Sequence, residues 1–151
     1  MTTTTSAMGG IVRRKEDPAL IAGHGKYVDD IKMSGEASAA FVRSPFAHAR
    51  INSIDTTAAK AMDGVLAVYT ADDVRHLGPV LAQVPVGALR PMLAEGAVHH
   101  AGEAVAMVVA ENAYVAKDAA DAVVVDYDPL PAVVDMKAAV ADDVKVHEGA
   151  E

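Results

Sequence analysis

The sequence sets two imidazoles side by side only at His99-His100, with His147 and Glu148 further along. Nitrogen and carboxylate ligands of these types would suit a zinc-like ion. The spacing argues against it, because adjacent residues of an extended segment point to opposite faces and cannot easily share one ion. Two facing carboxylates can divide the roles of acid and base, and the chain has acid pairs at Asp29-Asp30, Asp72-Asp73 and Asp142-Asp143. Neighbours along a chain rarely face each other that way, and caps, turns and solvated surface account for all three. Gly23-His24-Gly25 is a fragment of a phosphate-cradling motif that neither follows a clear strand nor opens a clear helix. Ser44 and Ser53 lack the surroundings of an activated nucleophile. His48, alone in a turn, reads as a hydrogen-bonding structural residue. Met33, Met62, Met107 and Met136 are scattered and read as core or surface filler. No catalytic, cofactor-binding or metal-ligating residue is assigned.

Composition narrows the classes further. At 151 residues the chain has a one-domain length, enough to bury a core. Hydrophobic residues make up 52% but aromatics only 4%, so the core must be built from closely packed small side chains. A formal net charge of −8 argues against nucleic acid as a partner, since a phosphate-binding surface needs clustered Lys and Arg. Arg13-Arg14-Lys15 is only a short cluster. Without cysteine there are no disulfides, thiolate ligands, iron–sulfur ligands or Cys nucleophile. Met1 to Gly10 lacks the charged start and apolar run of a signal peptide, and no apolar stretch reaches membrane-spanning length. The expectation is a cytoplasmic protein with no membrane span.

Pattern then gives the elements that must position these side chains. Residues 1–12 read as a disordered tail, 13–36 as an extended N-terminal arm with tight bends at Gly23 and Gly25, and 37–151 as the folded domain. Ala37 to Arg43 reads as a strand ended by Ser44-Pro45, and Arg50 to Asp55 as another. Asp55 caps a short helix from Thr56 to Met62, which Gly64 stops. Val65 to Thr70 is almost wholly apolar and reads as a strand buried on both faces. A helix over Asp72 to Leu77 and a loop over Gly78 to Met92 follow. Ala104 to Ala110 is the central-strand candidate. Asn112, with Glu111, caps a helix from Ala113 to Ala122 whose Ala116, Ala119, Ala120 and Val123 share one face. Val123 to Asp128 is a strand, Ala132 to Val134 a further short one, and Asp135 caps a last turn over Met136 to Val140. The class is α+β.

Several blocks carry a resemblance. The opening run Arg13-Arg14-Lys15-Glu16-Asp17-Pro18 through Gly23-His24-Gly25-Lys26-Tyr27-Val28-Asp29-Asp30-Ile31 is one. Val42-Arg43-Ser44-Pro45-Phe46-Ala47-His48-Ala49-Arg50-Ile51 is the second, and Met62-Asp63-Gly64-Val65 through Asp72-Asp73-Val74 the third. Gly102-Glu103 before Ala104-Val105-Ala106, and Val125-Asp126-Tyr127-Asp128-Pro129-Leu130-Pro131, complete the order. Together they resemble the start of the large subunit of molybdenum hydroxylases, the xanthine dehydrogenase, aldehyde oxidase and aerobic carbon-monoxide dehydrogenase family. The opening looks most like the carbon-monoxide dehydrogenase branch. The family often has Pro where Ala104 stands, and the His99-His100 pair is unusual.

The resemblance implies the α/β-hammerhead domain alone, an α+β fold with a mixed sheet, short helices and an extended N-terminal arm. It further implies a noncatalytic part, or split subunit, of a molybdenum-cofactor-dependent oxidoreductase. This chain alone would bind no cofactor. Its partner would be the molybdopterin-binding chain or the remainder of the large subunit, with iron–sulfur clusters and FAD in partner subunits. The rival reading is a stand-alone protein-binding or assembly module of the same fold. A small enzyme built on His99-His100 and an acid is a third.

Overall fold

The computed structural model describes residues 14–79, 90–140, 144, 146 and 147. The expected N-terminal tail, most of the 78–92 loop, Asp142-Asp143 and Glu148 lie outside the described residues. The chain divides into two units, residues 1–36 and 37–151.

In the first unit one helical turn, α1 (Asp17–Ile21), is followed by a 3-10 turn at Val28–Asp30. Sequence periodicity passed over both. The signal for α1 was Pro18, which sits in its first turn, where a missing N–H costs nothing. Gly23 takes the expected positive φ, +72°. At Gly25 an added Cβ would lie 2.4 Å from Leu20 Cδ2, so the end of that side chain would have to turn aside. The amides of His24 and Gly25 both donate to the Ala19 carbonyl, at 2.8 and 3.0 Å, and that draws the chain tightly across the helix end.

The second unit contains β1 (Ser38–Arg43), β2 (Ala49–Asp55), α2 (Thr57–Lys60), β3 (Val65–Tyr69) and α3 (Ala71–Val74), followed by β4 (Ala97–Val98), β5 (Ala104–Ala110), α4 (Ala113–Asp121), β6 (Val124–Pro129) and α5 (Met136–Val140). The described strands form two three-stranded sheets, β1-β5-β3 and β4-β2-β6, with every pairing antiparallel. The α+β class with short helices is the one the sequence implied. β5 takes the central place expected of it.

Local chemistry sets the helix ends. The Asn112 side chain accepts the amides of Tyr114 and Val115, both at 3.0 Å, and so satisfies two orphan donors of α4. Thr70 and Asp73 close a capping box on α3. Asp55 caps α2 from one residue further out, accepting the Thr57 amide at 2.9 Å. Asp135 accepts the amides of Lys137 and Ala138 at the start of α5. Gly64, at φ +83°, makes the turn from α2 into β3.

Two cores result. In the first, α4 lays Ala119 and Ala120 on Val68 of β3 and Val108 of β5, with Ala59 and Val123 closing the sides. In the second, Ala49, Ala94, Val98 and Val105 pack under Phe46 and Tyr127. β5 serves both, through Val108 and Val105, and Ile54 and Val125 touch both. Small side chains let the elements approach closely, as the aromatic-poor composition requires.

Two expectations are corrected. β3 is not buried on both faces: it is a sheet edge, with Leu66 58% and Tyr69 37% exposed. Ala132 to Val134 adds no strand. Pro131 has no N–H to offer a ladder, and its carbonyl is taken by the His48 ring at 2.7 Å.

Candidate functional site

The best-furnished polar region lies where the end of β1 meets the turn before β5. Ser44 is buried and makes an ST-type turn after β1, its Oγ accepting the Phe46 amide at 3.0 Å. Backbone bonds then cross between segments: Ser44 N–H to the Glu103 carbonyl, 2.9 Å, and Gly102 N–H to the Ser44 carbonyl, 2.8 Å. Arg43 adds a third link, donating to the Gly102 carbonyl at 2.8 Å.

Glu103 is the buried carboxylate of this region, at 9% exposure. Its Oε2 accepts the His99 amide at 2.6 Å. The Nδ1 atoms of His99 and His100 lie 3.7 and 3.5 Å from the same oxygen. The expected divergence of the two histidines is therefore replaced by rings that straddle one carboxylate. The alternation argument fails because the chain has left β4 at Val98 and is turning.

Stacking organises the imidazoles further. The His99 ring lies between His48, centroids 6.0 Å apart, and His147, 4.5 Å apart at an interplanar angle of 16°. His48 Nδ1 faces the Pro131 carbonyl, which can only accept, so that nitrogen carries the hydrogen. Burial pushes the His99 pKa below its ordinary 6.5; Glu103 opposes the shift, while His147, His48 and His100 add to it. Arg90 also approaches the His100 ring, its Nη2 lying 2.7 Å from Nε2 and 3.0 Å from Nδ1.

Near-parallel rings direct their nitrogen lone pairs side by side rather than toward a common point. Among the described residues no three His, Asp or Glu groups are placed to hold a metal ion, and with no cysteine in the chain there is no thiolate to ligate an iron–sulfur cluster. At 3.5 and 3.7 Å the Glu103–imidazole contacts are longer than ordinary hydrogen bonds. The arrangement fixes loops.

The other candidates resolve similarly. Asp29 and Asp30 sit in the 3-10 turn of the first unit, where Asp30 Oδ2 accepts the Tyr27 amide at 2.8 Å. Asp72 and Asp73 separate, Asp73 capping α3 and Asp72 pairing with Arg75 at 2.5 Å. Ser53 is exposed on β2. A groove of about 300 Å³ beside α3 is lined by Val74, Arg75, Met92, Leu93 and Glu95, but its Arg75 and Glu95 neutralise each other at 2.6 Å. Tyr127 was read only as part of a motif. Burial raises its phenol pKa, partly opposed by the Ser44 hydroxyl, and the hydroxyl has no partner of normal hydrogen-bond geometry among the described residues. Glu103 was likewise read only as part of the Gly102-Glu103 turn. Its signal was an acidic residue placed to cap the amide of a preceding turn.

Two antiparallel sheets, with one all-apolar strand serving both cores and a short alanine-faced helix packed on it, define a hammerhead-type α+β domain. Residues 22–131 match the family model described as aldehyde oxidase and xanthine dehydrogenase, a/b hammerhead domain. The carbon monoxide dehydrogenase large chain of Afipia carboxidovorans is 47% identical over 128 residues, 85% of this chain and 16% of that one. The nicotine 6-hydroxylase large subunit of Paenarthrobacter nicotinovorans is 41% identical, over 87% of this chain and 17% of that one. Among solved structures, quinoline 2-oxidoreductase from Pseudomonas putida 86 superposes with a TM-score of 0.82 at 39% identity, covering 93% of this chain and 18% of that one. The chain belongs to the aldehyde oxidase and xanthine dehydrogenase family of molybdenum hydroxylases, as its hammerhead domain. It spans under a fifth of the length of the curated relatives it matches.

Proposed function

We propose that this chain is a noncatalytic structural domain, or split subunit, of a molybdenum-cofactor-dependent oxidoreductase, packing against the cofactor-binding part of the large subunit. The observation that carries the reading is a family match over residues 22–131 in a chain that spans 16% of the carbon monoxide dehydrogenase large chain. The bonds of the best-furnished region support it, since those of Ser44, Arg43 and Glu103 join loops and strand ends. The complex would hold a molybdopterin cofactor, with iron–sulfur clusters and FAD in partner subunits, and would work in the cytoplasm. None of the described helices is long and apolar enough to cross a membrane. Residues 13–36 act in this reading as an arm, and 37–151 as the packing domain.

A tag on this chain, native purification, and mass spectrometry with molybdenum analysis test the proposal. A longer polypeptide recovered with stoichiometric molybdenum is the expected result. A metal-free species of 15.6 kDa alone would overturn the split-subunit form of the proposal, leaving a domain of a longer chain or a stand-alone binding module.

A further inference from the structure

The sheet β1-β5-β3 has one face covered and one face open. Register places Ala40 opposite Val108 and Val108 opposite Val68, and this layer packs under α4. The alternate residues form the other face. Phe41 pairs with Met107 and Met107 with Tyr69, while Ala39 pairs with Val109 and Val109 with Ala67. Each pair of neighbours in these two rows is apolar across all three strands. Phe41 is 46% and Tyr69 37% exposed, Ala39 is exposed, and Ala67, Met107 and Val109 are only half-buried. Arg43 lies at one edge, its guanidinium 5.5 Å from the Phe41 ring centroid.

An antiparallel sheet with one face in water alternates apolar and polar residues. β5 reads Ala-Val-Ala-Met-Val-Val-Ala and β3 Val-Leu-Ala-Val-Tyr, with no polar alternation. That is the composition of strands covered on both sides, which is why the sequence alone pointed to a doubly buried β3. The strands carry apolar residues for a second cover, and α4 supplies only the first. Contiguous apolar surface of this kind on a single domain marks a docking face.

We infer that the Ala39–Phe41, Met107–Val109 and Ala67–Tyr69 face is the surface that docks on the cofactor-binding remainder of the large subunit. This rests on the proposed function above and names the face that performs it. The occupant follows from length. In the relatives the matched segment is 16–18% of the chain, so most of each large subunit lies outside this domain and is available to cover it. The aromatic ends of the row, Phe41 and Tyr69, are residue types that anchor such interfaces, and Arg43 is suited to the rim.

The test co-expresses the tagged chain with the cofactor-binding polypeptide and compares the wild type with Phe41→Lys, Tyr69→Glu and Leu77→Lys. Leu77 is 57% exposed and lies off the face. Phe41→Lys and Tyr69→Glu are expected to weaken capture of the molybdenum-bearing polypeptide by about tenfold or more, with Leu77→Lys unchanged. Circular dichroism and thermal unfolding of each variant separate lost docking from lost folding, and the two face variants on different strands check each other. Capture by the wild type that both face variants retain would overturn the face while leaving the proposed function standing. Failure of the wild type to capture that polypeptide would overturn both. Self-association of the wild type, abolished by Phe41→Lys, would overturn the named occupant in favour of a second copy.

Discussion

Replacing Glu103 separates a structural carboxylate from an ornamental one. Its Oε2 accepts the His99 amide at 2.6 Å from a site 9% exposed. Glu103→Ala removes a charge-assisted hydrogen bond and leaves a partly buried N–H without a partner, a loss of about 1.5–3 kcal/mol. For a chain of this size that lowers Tm by roughly 3–12 °C. Glu103→Gln keeps an acceptor and gives up only the charge, so its cost is about half as large. The two variants also differ in their effect on His99. Burial holds its folded pKa below the ordinary 6.5, and Glu103 opposes the shift. As pH falls through 6.5 the unfolded chain binds the proton first. His99 therefore contributes stability that is complete above 6.5 and is lost as pH falls through its lower folded value. Removing the Glu103 charge lowers the folded value further and widens that window. Thermal unfolding across this pH range, with the His99 ring followed by NMR, measures both effects. A Glu103→Ala variant as stable as wild type, or a His99 midpoint that rises in Glu103→Gln, would refute the reasoning.

Four further outcomes are expected. Val108→Ala deletes buried methyl groups from the strand shared by both cores and should cost about 2–3 kcal/mol in denaturant unfolding; Leu66→Ala, on exposed surface, should stay within about 0.5 kcal/mol. Asn112→Ala strips the cap from α4 and should cost about 1 kcal/mol, with Asn112→Asp largely restoring it. Gly64→Ala forces a side chain into φ +83° and should cost about 1–2 kcal/mol from the backbone alone, because the nearest atoms to the new Cβ are at an ordinary 3.5 Å. Asp55 and Asp73 should titrate below 3.8 by NMR, the first held down by the Thr57 hydroxyl and amide, the second by the Thr70 amide and hydroxyl. Their stabilising effect is thus present above 3.8 and lost as pH falls through the lower folded values.

What was legible in the sequence was whatever a local rule could decide. β5 is a continuous apolar run and became the central strand; Asn112 and Asp135 are cap residues before short helices and became caps. The alanine face of α4 was readable because Ala116, Ala119 and Ala120 fall at helical spacing. β4 was not readable, being two residues long with no periodicity to show. Its existence depends on pairing with Ala49 and Arg50 nearly fifty positions earlier. The fate of the histidines was illegible for the same reason. Nothing local to His99 tells that His48 and His147 will flank it, and the alternation rule for neighbouring side chains holds only while the chain remains extended. The reading of β3 erred instructively, since its composition reports that a cover exists without saying which chain segment provides it.

The polar region and the two cores are parts of one construction. β5 begins at the Gly102-Glu103 turn, contributes Val105 to one core, and three residues later contributes Val108 to the other. Any sliding of β5 along its axis would disturb both cores at once, and the alanine-lined contacts leave little slack to absorb it. The bonds of Ser44, Arg43, Gly102 and Glu103 join the end of β1 to the start of β5, beside the register shift between Val42 and Arg43. They pin the strand where a slip would begin. A domain that invests its few buried polar atoms in register is suited to hold a surface still for something larger to rest on.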